Sequence, residues 1–156
     1  MQVFTQMQRR VLLEAASSSV TVLRPAGWNA TGDDGAEALG KWRRAGHVYR
    51  GMTEREYDAT VGRREPIHST GRHSLAGEGT NFADDPGDAE SYVNFGRDDP
   101  RKTGKPNYLV EVKLTDAMKR WPDGYIKSSE PVLYASVTRV WKMFVQGDEV
   151  VAQQIK

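Results

Sequence analysis

The sequence predicts an α+β fold with a mostly antiparallel sheet. Three observations predict it. Short apolar runs alternate at the two-residue period of strands, two segments carry clear helix-capping signals, and the regular strand–helix–strand alternation of a parallel sheet is absent. Residues 2–16 read as an amphipathic helix, with Val3, Met7, Val11, Leu12 and Ala15 near one face and Gln8, Arg9 and Arg10 off it. A short strand is expected at 20–23, ended by Pro25-Ala26-Gly27. Residues 28–40 are rich in Gly and Asp and read as a loop. Residues 47–50 are a strand candidate. Thr53 and Glu56 form a capping box, which predicts a helix over 54–61 stopped at Gly62. Residues 66–70 are a strand candidate closed by Gly71, and residues 80–83 are another. Asp85 is placed as an N-cap with Pro86 at the first helical position. That helix is expected to turn Ala89, Tyr92 and Val93 inward and to end near Gly96. Residues 97–106 are dense in charged and turn-forming residues and read as an exposed loop. From 108 to 114, Tyr108, Val110, Val112 and Leu114 alternate with Leu109, Glu111 and Lys113, which is strand periodicity. Residues 131–134 and 137–145 complete the expected strands. Two parts follow: an N-terminal helical appendage and loop at 1–45, and a single domain at 46–156.

Composition narrows the function classes. The chain has 156 residues, enough to bury a core without a disulfide or a metal. Lys plus Arg number 22 and Asp plus Glu 21, a net charge of +1, so no bulk electrostatic argument for nucleic acid or membrane follows. Cysteine is absent, which excludes disulfides, thiolate metal sites and a cysteine nucleophile. No apolar run approaches a membrane span, and the N-terminus lacks the apolar core and cleavage site of a signal peptide. The expectation is a cytoplasmic protein with no membrane partner. His47, His68 and His73 match no zinc spacing, so no metal is expected. Two small basic patches, residues 41–44 with Trp42 and residues 97–105, read either as solvated loops or as contacts to a phosphate backbone.

Three segments carry a family resemblance. Val48-Tyr49-Arg50-Gly51 is an aromatic followed by Arg and Gly at a strand end. Gly77-Glu78-Gly79-Thr80-Asn81-Phe82-Ala83-Asp84, continuing to Asp88-Ala89-Glu90-Ser91-Tyr92, is a glycine-led strand followed by a helix. Ser128-Ser129-Glu130-Pro131-Val132-Leu133-Tyr134 is a strand entered by a glutamate. In this order the three resemble the ADP-ribosyltransferase fold, over about residues 46–145. The second segment is similar to the poly-ADP-ribose polymerase-like branch, and Ser69-Thr70-Gly71 resembles a stretch in the small rifampin-modifying transferases. The resemblance implies a split antiparallel sheet with flanking helices, and NAD as substrate in a cleft between the sheet halves.

Cleavage of the nicotinamide–ribose bond passes through an oxocarbenium-like state, and a carboxylate near that ribose holds the 2′-hydroxyl and stabilises the developing charge. The resemblance gives this role to Glu130; the plainer reading is an exposed glutamate at a strand entry. Arg50 forks onto the NAD pyrophosphate or holds ribose hydroxyls, unless it forms a surface salt bridge. Gly51 lets a ligand approach the backbone or serves a turn, and the resemblance implies that its backbone groups read the nicotinamide carboxamide. Tyr92 stacks on the nicotinamide ring or belongs to the core. Tyr49 and Phe82 are further candidates for cofactor contact, Phe82 more naturally as core. Asn81 stands in the middle of the catalytic triad where the family usually has Tyr or Ser; it can hydrogen-bond but cannot stack. Thr80 supplies a hydroxyl if the register slips by one, and Ser69 and Thr70 offer a second set of hydroxyls. Ser128 stands where many protein-modifying members carry Glu or Gln, which puts arginine as an acceptor in doubt.

The leading expectation is therefore a mono-ADP-ribosyltransferase acting on an unidentified acceptor, whether protein, nucleic acid or small molecule. NAD hydrolysis, with water as acceptor, is a variant of it. A non-catalytic binding or virion-associated module of the same fold is the rival that Asn81 favours. A nucleic-acid-binding protein using Trp42 and the basic patches is the third reading.

Overall fold

Two antiparallel sheets organise the computed structural model, which describes residues 19–25, 38–68, 80–122 and 124–156. The strands are β1 (Thr21–Arg24), β2 (His47–Thr53), β3 (Thr80–Phe82), β4 (Asn107–Lys113), β5 (Met118–Arg120), β6 (Ile126–Ser128), β7 (Val137–Gln146) and β8 (Glu149–Gln154). The helices are α1 (Glu54–Ala59), α2 (Pro86–Asn94) and the one-turn α3 (Pro100–Thr103). A five-stranded sheet has the order β1-β8-β7-β4-β2, and a three-stranded sheet the order β3-β6-β5. The fold is α+β, as the sequence predicts.

Local chemistry explains the helix starts. Thr53 Oγ1 accepts from Glu56 N at 3.4 Å, and Asp85 accepts from Gly87 N at 2.6 Å with Pro86 behind it. The two faces of the five-stranded sheet are both covered. One face, with Val48, Met52, Val110, Val112 and Val140, packs on Phe82, Met118 and Ile126 of the smaller sheet. The other, with Tyr49, Leu109, Trp141 and Met143, lies under Ala89 and Val93 of α2 and under Leu39.

That double covering corrects several sequence expectations. On β4 the alternation does not separate a buried from an open face: Leu109 and Glu111 are as inaccessible as Val110 and Val112. Residues 38–40, expected in a loop, are helical and bury Leu39, while Trp42 stacks on Trp141 with centroids 4.7 Å apart. The boundary expected at residue 45 is not a structural one, because β1 pairs with β8 and Leu23 enters the core. Residues 97–106 are not a free loop: Gly96–Asp98 form a 3₁₀ turn, Asp99 caps α3, and Asp99 and Pro100 are buried. Between 131 and 134 only Val132 pairs, through a bridge to Ile67, and Tyr134–Ser136 form a 3₁₀ turn. Tyr92 does not turn inward. Ala89 and Val93, four residues apart, take the buried face of α2, and Tyr92 is left on its flank, 53% exposed. The expected N-terminal helix at 2–16 lies outside the described residues.

Candidate functional site

Three segments remote in sequence become neighbours. β2 meets β3 through one bridge, Tyr49↔Ala83, whose N–H and C=O groups exchange bonds of 2.8 and 2.7 Å. β3 pairs with β6 over Thr80↔Ser128, Asn81↔Lys127 and Phe82↔Ile126. Beyond Tyr49↔Ala83 the pairing of β2 with β3 stops, so the strands part along Arg50, Gly51 and Asn81. Backbone groups alternate along a strand. Gly51 therefore directs its N–H and C=O to the same side as Tyr49, into the opening between the two strands. Asn81, the β3 residue along that opening, has its Oδ1 buried without a hydrogen-bond partner.

Arg50 reaches across the opening. Its Nη1 donates to Asn81 O at 2.7 Å, while Nε and Nη2 both donate to Glu56 Oε1, at 2.8 and 2.6 Å. The sequence treats Glu56 as half of a capping box. Its carboxylate instead faces Arg50, and the cap rests on Thr53 alone. Glu56 is thus a site residue that local pattern reading misses; the only signal is its position one helical turn past an arginine-bearing strand.

Gly51 has a further reason to be glycine. A Cβ there would lie 2.2 Å from Ala89 O and 2.9 Å from Val93 Cγ2. α2 is seated directly on β2, and only a missing side chain permits it. Gly51→Ala is expected to lower stability by about 2 kcal/mol or more, since a backbone carbonyl cannot rotate away as a side-chain tip can. Urea unfolding measures it; a change below about 0.5 kcal/mol means that the helix stands off the strand.

Glu130 lies two residues past β6 and is exposed. Ser128 Oγ donates to the Glu130 carbonyl at 2.6 Å, which pins the chain as it leaves β6. Among the described residues no hydrogen bond or ion pair engages the Glu130 carboxylate. Thr80 is buried and pairs with Ser128, so the middle position facing outward is Asn81. Ser69 and Thr70 lie outside the described residues.

Tyr92 borders a hollow of about 450 Å³, lined also by Ala83, Asp84, Asp88, Ser91 and Tyr125. The volume suits a nucleotide fragment. Burial first, and the Asp85 charge second, push the Asp88 carboxyl above its usual range. Asp84 Oδ2 is held by Arg43 at 2.9 Å and Arg120 at 3.1 Å, so part of the basic patch at 41–44 is neutralised within the fold.

Tyr49 and Phe82 are placed in the core, at 0% and 1% exposure, with no ring face open to a ligand. The Tyr49 hydroxyl belongs to a network around Glu111, itself fully buried. Arg139 binds that carboxylate through Nε at 2.9 Å and Nη2 at 2.5 Å, Thr138 Oγ1 donates at 2.8 Å, Tyr49 OH at 2.9 Å, and Arg44 Nη2 makes a further short contact. Burial would raise the Glu111 carboxyl, but the bonds from Arg139, Arg44, Thr138 and Tyr49 outweigh it and hold the pKa at about 2. No family model, curated protein or solved structure matches the chain.

Proposed function

We propose that the protein is a mono-ADP-ribosyltransferase of the ADP-ribosyltransferase fold, which cleaves the nicotinamide–ribose bond of NAD and passes ADP-ribose to an acceptor. One observation carries this reading. The three segments with the family's motifs adjoin one another, and β2 and β3 part along Gly51, with its N–H and C=O, and Asn81, whose Oδ1 is buried and unpartnered. A carboxamide has the matching pair, one acceptor and one N–H₂ donor. The resemblance supplies the rest. The exposed Glu130 carboxylate would hold the ribose 2′-hydroxyl and stabilise the oxocarbenium charge as nicotinamide leaves with the bonding electron pair. The acceptor then forms the new bond to C1′ and loses its proton; with water in that place the reaction is hydrolysis.

A second reading has its own observations. Arg50 is already satisfied by Glu56, and Asn81 cannot stack on nicotinamide, which together favour a module that binds NAD without turning it over.

The test is nicotinamide release from NAD by the purified protein, beside Glu130→Gln, with thermal unfolding of both. Release by the wild type, reduced about 100-fold or more in Glu130→Gln, is the expected result. Stabilisation by NAD without release selects the binding module. Neither release nor stabilisation removes NAD as the ligand.

A further inference from the structure

Lys127 is the one lysine among the described residues that the fold buries, at 4% exposure. A lysine so enclosed normally pairs with a carboxylate; here the stem is enclosed while the Nζ keeps an opening to solvent. Among the described residues Lys127 has no hydrogen bond or ion pair. Its Nζ rests 4.6 Å from the centroid of the Trp121 ring, and that is its only partner. The register places it. Asn81, Lys127 and Lys119 are partners across β3, β6 and β5, so their side chains stand in one row on the same face. That face is opposite to Phe82 and Ile126, which enter the core. Tyr125, two residues before Lys127, shares the face and lines the hollow beside Tyr92. Asn81 Oδ1 is buried and unpartnered in the same row. Arg50, by contrast, has its guanidinium filled by Glu56 and Asn81 O.

We infer that Lys127 anchors the phosphates of a diphosphate-bearing ligand on the outer face of the three-stranded sheet. An anion there gives the ammonium the charge partner that it lacks among the described residues, and Lys119 in the adjacent row position adds a second cation. The inference takes from the proposed function only the identity of the ligand, the NAD pyrophosphate. It replaces Arg50 by Lys127 as the group that holds it.

The experiment is thermal unfolding of the full chain with inorganic pyrophosphate, ADP, nicotinamide and NAD, for wild type, Lys127→Met, Lys127→Arg and Arg50→Gln. Each variant is first checked for folding without ligand. Trp121 emission is read in parallel, isolated by subtraction against Trp121→Phe. Pyrophosphate and ADP are expected to stabilise the wild type and to change Trp121 emission. Lys127→Met is expected to weaken both anions about 10- to 100-fold, with Lys127→Arg within a few-fold of wild type. Should Lys127→Met fail to fold, the Trp121 response and Lys127→Arg still decide the matter. Pyrophosphate that stabilises wild type and Lys127→Met alike overturns the inference, as does an unchanged Trp121 signal or a larger loss in Arg50→Gln. If NAD binds while pyrophosphate and ADP do not, the inference falls and the NAD reading stands. If the anions bind through Lys127 while NAD is neither bound nor cleaved, the inference stands and the NAD reading falls.

Discussion

Replacing Glu111 with glutamine is expected to destabilise the protein by about 3 kcal/mol or more. The fully buried carboxylate is the shared acceptor for two guanidiniums, a threonine and a tyrosine hydroxyl. Glutamine keeps the shape but supplies one acceptor oxygen. Its N–H₂ group faces Arg139 or Arg44, so a donor meets a donor against the fully buried end of the network and the charge that offsets both guanidiniums is lost. The cost spreads beyond β4, because Arg139 Nη2 also bonds Trp42 O and the Arg44 N–H donates to Tyr49 OH at 2.8 Å. Urea denaturation of the variant measures it. A loss under 1 kcal/mol would mean that water or a rearranged side chain restores the missing acceptor.

The same group sets the acid limit. The Glu111 pKa is lowered from 4.5 to about 2 in the folded state. A carboxyl whose folded pKa is depressed contributes stability that is fully present above its unfolded pKa and is lost as pH falls through the folded one. The window therefore runs from about pH 4.5 down to about pH 2, and the contribution lost across it is about 3 kcal/mol. Asp99 adds in the same direction: burial raises its carboxyl, but the side-chain and backbone bonds to Arg101 bring it below its usual value. Wild type and Glu111→Gln should thus differ most near neutral pH and converge toward pH 2. A gap that stays constant between pH 7 and pH 3 contradicts the assignment of the charge to Glu111.

The sequence made some of this architecture legible and hid the rest for physical reasons. The starts of α1 and α2 were readable because a cap is a local hydrogen bond between residues two or three apart. β4 was readable as a strand, but the burial of its second face was not. That face is closed by residues 38–42, which fold back from far along the chain. β5 and β6 have three residues each, too short to display a period, although Pro122-Asp123-Gly124 between them is a turn signal. β8 had its own signal in Gly147-Asp148, where Gly147 takes φ +64° between β7 and β8. In the candidate site the residues proposed from the sequence, Arg50, Gly51, Asn81 and Glu130, were chosen through the motif order. Glu56 and Lys127 were not, because a local cap explained the first and nothing in the sequence says that the second is buried.

Glu90→Ala is the second replacement with a large expected effect, a loss of about 3–5 kcal/mol. Glu90 and Arg24 are each 1% exposed and form a two-point ion pair, Nε to Oε1 and Nη2 to Oε2, both 2.9 Å. The Arg24 guanidinium also lies 3.9 Å from the centroid of the Phe95 ring. Oε1 accepts from Asn94 Nδ2 at 2.8 Å, and Asn94 Oδ1 accepts from Asn107 Nδ2 at 2.9 Å. Truncation leaves a buried cation and an unanchored amide pair. Removing both charges together is a different matter, because the cost of burying them disappears as well. Arg24→Met with Glu90→Leu is expected to recover most of the loss, and a double-mutant cycle measures the coupling. The pair ties the edge strand β1 to α2, the helix that presses on Gly51 and carries Tyr92. On the proposed NAD reading, Glu90→Ala should weaken binding at the hollow as well as stability, with the double replacement restoring both. Stability restored without binding would show that the charges, beyond holding the helix, set its exact position over β2.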